Sequence, residues 1–339
     1  MASLPVSQRA IVVEDVGGPE VMQYRLDYPI PIPEEGQVLV KNSIAGINYI
    51  DTYFRTGLYP SPKPEVLGRE AAGTIVSFGP NTDTHGLRVG DRVVWLGTGG
   101  YAEYTAVSVK KTIKLPVSIS DEEATAAFLS GLTGLALTHE AYTVKAGDWV
   151  LLHAAAGGAG FLMTQILKKI GAKVIGTAGG PQKVALVKGL GADHVLDYRS
   201  PEGKDWPQIV RQITQGRGVD VVFDSVGKDT WEGSLEAVKR KGTVVWFGNA
   251  SGPVPSLPLS LLSAKCIKVA RPTLLGYIHT REEFEFYAQK LFSLILQENL
   301  QINIHKTYSL AAVQEAHSDL ESRTTIGKLL LTLMHDDRL

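Results

Sequence analysis

The first part of the chain consists of short strand-like apolar runs separated by glycine, proline and asparagine. Four of these runs are QVLVKNSIAG, AAGTIVSFG, DRVVWLG and YAEYTAVS. Short runs bounded by turn-forming residues predict a small, mostly β domain. A helix is predicted next, over DEEATAAFLSGLTGLALTHEAYTV, because its opening acids suit a helix N-terminus.

The pattern changes near residue 145, where near-continuous apolar runs begin to alternate with helical segments. The predicted strands are WVLLHAA, KVIGTAG, HVLDY, VDVVFDSVG and TVVWFGNAS. The predicted helices between them are FLMTQILKKIGA, PQKVALVKGLGA, WPQIVRQITQG and WEGSLEAVKRKG. Apolar strands alternating with helices indicate a parallel sheet that is covered on both faces. This part of the chain is therefore predicted to be a doubly wound α/β domain.

The tail returns to amphipathic helices, REEFEFYAQKLFSLILQ and SLAAVQEAHSDLES, and ends in a strand-like run, GKLLLTL. We expect this tail to pack back onto the first domain. The predicted organisation is therefore α/β, with residues 1–132 as the first part of a mostly-β domain, 133–269 as the doubly wound domain and 270–339 as the return.

Composition and charge narrow the class of protein. The chain has 339 residues, is 44% hydrophobic and carries a formal net charge of −1, which gives no overall attraction to nucleic acid or to an anionic membrane. Its one cysteine favours a reducing compartment, and we expect a cytoplasmic protein. No signal peptide is expected in MASLPVSQRA, and the charge-free run Trp149–Leu167 is interpreted as strand, glycine turn and helix rather than as a membrane span.

A glycine-rich turn follows the first strand of the alternating region. It comprises Gly157, Gly158, Ala159 and Gly160, and a helix is predicted directly after it. Glycines let the backbone approach a pyrophosphate, and a helix N-terminus offers unpaired N–H groups and a positive dipole end. The spacing is shorter than the full dinucleotide fingerprint, but its strand–turn–helix context predicts a dinucleotide site.

The acid that NAD-binding domains place about 20 residues past the glycines is missing. That place holds Gly179 and Gly180, followed by Lys183 at the start of the next helix. Small residues leave room for a 2′-phosphate, Lys183 can neutralise it, and Tyr198 can stack or donate a hydrogen bond nearby. The sequence therefore favours NADPH over NADH.

Metal-ligand spacing is absent among the eight histidines, and Cys266 is predicted to be buried and inert. One stretch, GINYIDTYFRTGLYP, concentrates polar and aromatic residues, among them Asn48, Tyr53 and Tyr59. Such donors can bind a carbonyl oxygen and stabilise negative charge that develops on it. A surface loop whose tyrosines only pack is the alternative, and these residues alone leave both open.

Several motifs together resemble one family. GDWVLLHAAAGGAGFLMTQILK, GINYIDTYFRTGLYP, LGREAAG, DSVGKDTW, FGNASG and LESRTTIG resemble, over nearly the whole chain, the quinone oxidoreductases of the zeta-crystallin type. These belong to the zinc-free branch of the medium-chain dehydrogenase/reductase superfamily. The resemblance implies a Rossmann domain inserted in a GroES-like catalytic domain, with the cofactor between them. It also implies homodimers formed by edge strands, for which CIKVARPTLLGY is the candidate.

The resemblance also implies roles for individual residues. Asn48 would lie beside the nicotinamide, and Tyr53 and Tyr59 would line the substrate pocket and donate hydrogen bonds. Where zinc-dependent relatives have a Gly-His-Glu motif, this chain has Gly68-Arg69-Glu70, so the ligand histidine is replaced and no metal is expected. The residues expected to contact NADPH are Asn48, Thr133, Gly157, Gly158, Ala159, Gly160, Gly179, Gly180, Lys183, Tyr198, Phe247, Gly248 and Arg323.

The function implied is NADPH-dependent reduction of quinones or other conjugated carbonyls. Without a Lewis acid, activation of a simple alcohol is difficult, whereas a conjugated acceptor spreads the incoming charge over its own system. Two alternatives stay open: a 2-alkenal, enone or enoyl-thioester reductase, and a protein that binds AU-rich RNA in an NADPH-sensitive way. The second has no support in the sequence, which shows no basic run and no interleaving of basic with aromatic residues.

Overall fold

The computed structural model describes residues 5–333 of the chain. Two compact units are present: Met1–Leu129 together with Thr280–Leu339, here called the outer unit, and Ser130–His279, here called the inserted unit. The division falls inside one long helix and again just before another. The predicted α/β class, with a parallel sheet and a separate mostly-β domain, is confirmed.

The strands are β1 (Ser7–Val13), β2 (Met22–Pro29), β3 (Gln37–Ile47), β4 (Glu65–Val66), β5 (Glu70–Phe78), β6 (Arg92–Leu96), β7 (Tyr104–Ser108), β8 (Thr112–Lys114), β9 (Trp149–Leu152), β10 (Lys173–Ala178), β11 (His194–Asp197), β12 (Val219–Asp224), β13 (Val238–Trp246), β14 (Lys268–Ala270), β15 (Ile304–Ser309) and β16 (Lys328–Thr332). The helices are α1 (Tyr49–Arg55), α2 (Asp121–Ala136), α3 (Gly158–Ile170), α4 (Pro181–Gly189), α5 (Trp206–Ile213), α6 (Trp231–Ala237), α7 (Ser260–Ser263), α8 (Leu274–Tyr277), α9 (Arg281–Gln297) and α10 (Val313–Glu321). Short 3₁₀ helices cover Pro19–Val21, Val109–Lys111, Glu202–Asp205 and Leu310–Ala312, and a π-helical segment, Leu137–Ala141, continues α2.

The outer unit is built on two sheets. One has the strand order β2-β1-β4, and the other runs β15-β16-β3-β5-β6-β8, with β7 also paired to β3. The tail returns as expected, since β16 pairs antiparallel with β3 and places Leu329 opposite Ile47. Its core joins residues from both chain ends, including Val40 and Leu331, so each end needs the other to bury its apolar face.

The inserted unit contains a parallel sheet in the order β11-β10-β9-β12-β13-β14. Alternate residues of β12 enter different cores: Val221 and Phe223 face one cluster, and Val222 between them faces the other. Burial on both faces explains why these strands are apolar throughout. The chain order reverses beside β9, so the crevice at the carboxyl ends of β9 and β12 is where such sheets bind ligands.

Two local predictions are wrong. The helix predicted to run through WEGSLEAVKRKG ends at Ala237, and its last residues belong to β13, where they hydrogen-bond to the sheet. Cys266 is exposed rather than buried, because the turn after α7 holds it in a left-handed conformation (φ 50°) away from the core. Over residues 5–333, no helix is both long and apolar enough to cross a membrane.

Candidate functional site

The glycine turn lies at the carboxyl end of β9. The strand stops at Leu152, Ala154 adopts φ 51°, and Gly157 caps α3 without a side chain of its own. A Cβ on Gly160 would lie 2.3 Å from the carbonyl oxygen of Ala154, so only glycine lets the helix pack this close to the turn. The first N–H groups of α3 have no carbonyl before them within the helix, and this end of the helix therefore suits an anionic group.

A buried histidine, His153, forms hydrogen bonds that stabilise this turn. His153 is 1% exposed, and its two ring nitrogens lie 3.1 Å from Thr177 Oγ1 and 3.2 Å from Ser234 Oγ. The backbone N–H of Ala154 donates to the same Thr177 oxygen at 3.3 Å. Burial lowers the pKa of His153, so the ring is neutral and serves to hold the turn rather than to carry charge.

Two of the residues predicted to recognise a 2′-phosphate, Gly179 and Tyr198, lie next to each other after β10 and β11. These strands pair Ala178 with Asp197, which brings the two following loops side by side. A Cβ on Gly179 would lie 2.5 Å from the Tyr198 hydroxyl and 2.9 Å from Arg199 Nε. These two side chains therefore occupy the space that a side chain at position 179 would need. The carboxylate of Asp197 is held by the backbone N–H groups of Gly180 and Arg199, both at 2.9 Å.

Two cations interact in this place. Lys183 lies in the first turn of α4, and its pKa is lowered, first by burial and then by the charge of Arg199. An anion between two like charges removes that repulsion, so the arrangement favours a bound phosphate. Arg199 is a residue that our sequence reasoning missed; its position directly after Tyr198 was the available signal.

The remaining predicted contacts of the inserted unit lie in the loop after β13 and in α2. Phe247 and Gly248 follow β13, and a Cβ on Gly248 would lie 2.5 Å from the carbonyl oxygen of Ser225 in the loop after β12. The glycine turn, the loop that holds Gly179 and the loop that holds Gly248 all lie at the carboxyl edge of one sheet. Thr133 is half-buried on α2.

The polar and aromatic stretch of the outer unit forms α1 and the loop after it. Asn48 is the N-cap residue of α1, and it forms a reciprocal capping box with Asp51. Tyr53 is 7% exposed, and its ring packs edge-on against that of Tyr59 with the centroids 5.1 Å apart. The ring of Tyr49 lies 5.9 Å from that of Tyr53. The structure thus brings Asn48, Tyr53 and Tyr59 together on one short segment.

The Asn48 side chain lies in a buried polar cluster. Its Nδ2 donates to Glu70 Oε1 at 2.8 Å and to the Gly46 carbonyl at 3.3 Å, and its Oδ1 accepts from Lys328 Nζ at 2.5 Å. Lys328 Nζ also donates to Glu70 Oε1 at 2.5 Å. Glu70 is 0% exposed and its other oxygen accepts the backbone N–H of Leu129 at 2.7 Å.

A second buried network begins one turn further along α1. Asp51 is fully buried and accepts a hydrogen bond from the Tyr101 hydroxyl at 2.8 Å, while burial raises the pKa of Asp51 to about 6. His317 lies 3.3 Å from the same hydroxyl and 2.9 Å from Arg55 Nη1, and burial lowers the pKa of His317 to about 3. Arg55 Nη2 in turn donates hydrogen bonds to the two carboxylate oxygens of Glu321, at 2.8 and 2.9 Å.

Arg69, which stands where zinc-dependent relatives have a ligand histidine, turns to other partners. Its guanidinium lies 3.6 Å above the ring of Phe54 and forms a 2.5 Å ion pair with Glu65. Across residues 5–333, no three His, Cys, Asp or Glu side chains are grouped in a way that could hold a metal ion. Arg323 follows α10 with φ 59°, and its expected contact with the cofactor stays a prediction.

A parallel-sheet unit with a glycine turn at its switch point, inserted in a mostly-β unit, is typical of the dinucleotide-dependent oxidoreductases of the medium-chain dehydrogenase/reductase type. Residues 34–117 match the alcohol dehydrogenase GroES-like domain, and residues 158–293 match the zinc-binding dehydrogenase domain. The chain is 44% identical over 321 residues to a quinone oxidoreductase of Salmonella typhimurium, covering 93% of this chain and 96% of that protein. A 2-haloacrylate reductase of a Burkholderia species is 33% identical over 335 residues, covering 95% of this chain and 98% of that protein.

Solved structures agree with these matches. The quinone oxidoreductase of Escherichia coli, crystallised in complex with NADPH, superposes with a TM-score of 0.91 at 42% identity, covering 96% of this chain and 99% of that one. The chain belongs to the quinone oxidoreductases of the medium-chain dehydrogenase/reductase superfamily, which confirms the family inferred from its motifs.

Proposed function

We propose that this protein uses NADPH to reduce quinones. The observation that carries the proposal is that Tyr198 and Arg199 lie against Gly179, a small residue in the place of an acid, with Lys183 near enough for the charge of Arg199 to act on it. An NAD-binding site would place a carboxylate on the ribose there, whereas two cations and a tyrosine suit a 2′-phosphate. The E. coli relative crystallised with NADPH supports the same choice.

Each part of NADPH has a proposed set of residues in the inserted unit. The N–H groups at the start of α3, from Gly158 to Gly160, would hold the pyrophosphate, and a side chain at Gly160 would clash with the turn before the helix. Lys183, Tyr198 and Arg199 would hold the 2′-phosphate, and Thr133, Phe247 and Gly248 would line the rest of the cofactor. When bound, NADPH supplies the hydride.

On the acceptor side, Tyr53 is the proposed hydrogen-bond donor to the carbonyl oxygen. Negative charge on that oxygen grows as the acceptor is reduced, and a nearby phenol donor stabilises it. Asn48 is less suited to donate to a substrate, because both of its N–H groups already have protein acceptors. Its role is instead to shape the site beside the nicotinamide.

Reduction of conjugated carbonyls or acids other than quinones is the second candidate. The 2-haloacrylate reductase relative favours it, since its substrate by name is a conjugated acid. A quinone and a conjugated acid both accept hydride at carbon while the negative charge moves to oxygen.

We also propose a homodimer formed through β14, which lies at an edge of the inserted unit's sheet. Around it, apolar side chains are exposed: Leu259 by 77%, Leu261 by 48%, Val269 by 40% and Leu275 by 53%. An unpaired strand edge flanked by apolar side chains favours pairing with a second copy. A reducing compartment such as the cytoplasm suits the exposed thiol of Cys266.

The test is NADPH oxidation by the purified full-length protein with a panel of neutral quinones, enones and conjugated acids. We expect turnover with quinones and a much lower rate when NADH replaces NADPH. Tyr53→Phe should lower quinone turnover about tenfold with little change in the KM for NADPH, because the proposed donor to the acceptor is lost while the residues proposed to bind the cofactor stay. Tyr24→Phe, on β2, is the matched control and should behave as the unaltered protein. Absence of NADPH oxidation with every acceptor would refute the proposed function.

A further inference from the structure

Strand β16 contributes a buried ammonium, that of Lys328, to the polar cluster around Asn48. Lys328, the first residue of β16, is 4% exposed and lies 280 residues from Asn48 along the chain. Pairing of Leu329 with Ile47 sets the register that brings the two together. Gly46 makes room for the cluster, because a Cβ there would lie 2.3 Å from Glu70 Oε1.

The cluster fixes the Asn48 amide in one orientation. Its oxygen faces the Lys328 ammonium, and its nitrogen faces the Glu70 carboxylate. A flipped amide would place N–H groups against the ammonium and an oxygen against the carboxylate, which loses both bonds and adds two repulsive contacts. The Asp51 N–H donates to the backbone carbonyl of Asn48 at 3.0 Å, so the side-chain oxygen of Asn48 is left to the Lys328 ammonium.

Asn48 is also the residue on which α1 begins. The position of its side chain sets the first turn of α1, and Tyr53 lies five residues further along the same segment. A change at Lys328 would therefore reach both Asn48 and Tyr53, the proposed donor to the carbonyl. Besides its bonds to Asn48 and Glu70, the Lys328 ammonium acts through its charge on Asp51 in the same first turn, where it lowers the pKa of Asp51 against the larger effect of burial.

A purely stabilising ion pair explains this arrangement poorly. The desolvation of two buried charges offsets much of their attraction, and apolar residues of similar size often serve stability as well. What the charges provide here, and apolar residues would not, is a fixed amide orientation.

We propose that Lys328 is a positioning residue for quinone reduction, which with Glu70 locks the Asn48 side chain and thereby the start of α1. This inference rests on the proposed function. It assigns Lys328 no contact with the acceptor or the cofactor.

The experiment compares Lys328→Met with Lys306→Met in the full-length protein. Lys306 lies exposed on the neighbouring strand β15 and pairs with Glu315 at the surface, so its loss should change nothing. Lys328→Met should lower kcat about tenfold, leave the KM for NADPH within about twofold, and retain a cooperative thermal transition. The decisive variant is the double mutant with Asn48→Ala. If Lys328 acts through Asn48, Lys328→Met should lower kcat by less than about twofold in that background.

Two results would overturn the inference: an unchanged kcat in folded Lys328→Met, or full additivity of the Lys328 and Asn48 losses. Should Lys328→Met not fold, Glu70→Gln takes its place, since it keeps the shape of Glu70 and removes the charge that orients the ammonium. The same fall in kcat and the same non-additivity with Asn48→Ala are then expected, and their absence overturns the inference equally. An inactive unaltered protein refutes the proposed function, whereas an active one with unaffected variants refutes only the role of Lys328.

Discussion

Replacement of Lys183 by alanine tests the basis of cofactor choice. Lys183 is half-buried at the start of α4, and the lowered pKa of its ammonium reports both that burial and the nearby charge of Arg199. A 2′-phosphate placed between the two cations would remove the repulsion and gain a charge-assisted hydrogen bond from each. NADH has a hydroxyl in that place and gains neither.

The size of the effect follows from the number of bonds lost. A hydrogen bond to a charged group contributes about 1.5–3 kcal/mol, and Arg199 stays to neutralise part of the phosphate. We therefore expect a loss of about 2 kcal/mol, or about 30-fold, in kcat/KM with NADPH. With NADH the change should stay within about threefold.

The assay is steady-state quinone reduction with each cofactor in turn, at one fixed ionic strength because salt screens partly exposed charges. Lys188→Ala is the matched control, since Lys188 is exposed on the same helix. Equal losses with NADPH and NADH, or an equal loss in Lys188→Ala, would show that Lys183 does not recognise the phosphate.

Three further predictions concern the glycine turn, the buried acid and the edge strand. Gly160→Ala should abolish NADPH binding, measured by titration, because its Cβ would lie 2.3 Å from the backbone of Ala154; Gly189→Ala, with nothing within 4 Å, should bind normally. The free energy of unfolding of Asp51→Asn, measured relative to the unaltered protein, should rise by up to about 3 kcal/mol as the pH increases from about 4 to about 7. The reason is that a pKa raised from 3.8 to about 6 favours the fold at low pH, and that contribution is lost as the pH rises through about 6. Urea titrations across this range check it, and parallel curves would contradict it. Val269→Lys should yield monomers by sedimentation, and a retained dimer would exclude β14 as the interface.

The fold could be predicted because its signals are local. Apolar strands that alternate with helices indicated the parallel sheet, and the run ending in Gly160 marked the turn at its switch point. Tyr198 lies beside Gly179 because the ends of adjacent parallel strands meet at one edge, and the joint contact of Lys183 and Tyr198 with a phosphate stays a prediction. The boundaries of the two units were harder to predict, because one of them falls inside α2.

The polar networks could not be predicted, because they join residues that are distant in sequence. Lys328 meets Glu70 and Asn48 only through the register of β16 on β3, and His317 meets Tyr101 across more than 200 residues. A lone buried lysine in an apolar run gives no sign of its partner. The exposure of Cys266 was missed for a related reason, since a left-handed turn, not hydrophobicity, decides where that side chain lies.

The charges of the two units differ in how fully cations and acids are matched. In the inserted unit, the charge of Arg199 acts on Lys183, and the nearby carboxylate of Asp197 is held by backbone N–H groups, so the place suits an anion. In the outer unit, Lys328 is paired with Glu70 and Arg55 with Glu321, whereas Glu65 is shared by Arg69 and Lys63. The charges around Glu65 therefore sum to one positive charge, and Lys63 Nζ also donates to the Phe54 carbonyl of α1 at 3.2 Å. A carboxylate beside α1 would recover part of its lost hydration from this excess charge, whereas a neutral quinone loses little hydration and needs no counter-charge. Charge alone therefore keeps both the quinone and the conjugated acid as candidate substrates, and the acceptor panel decides between them.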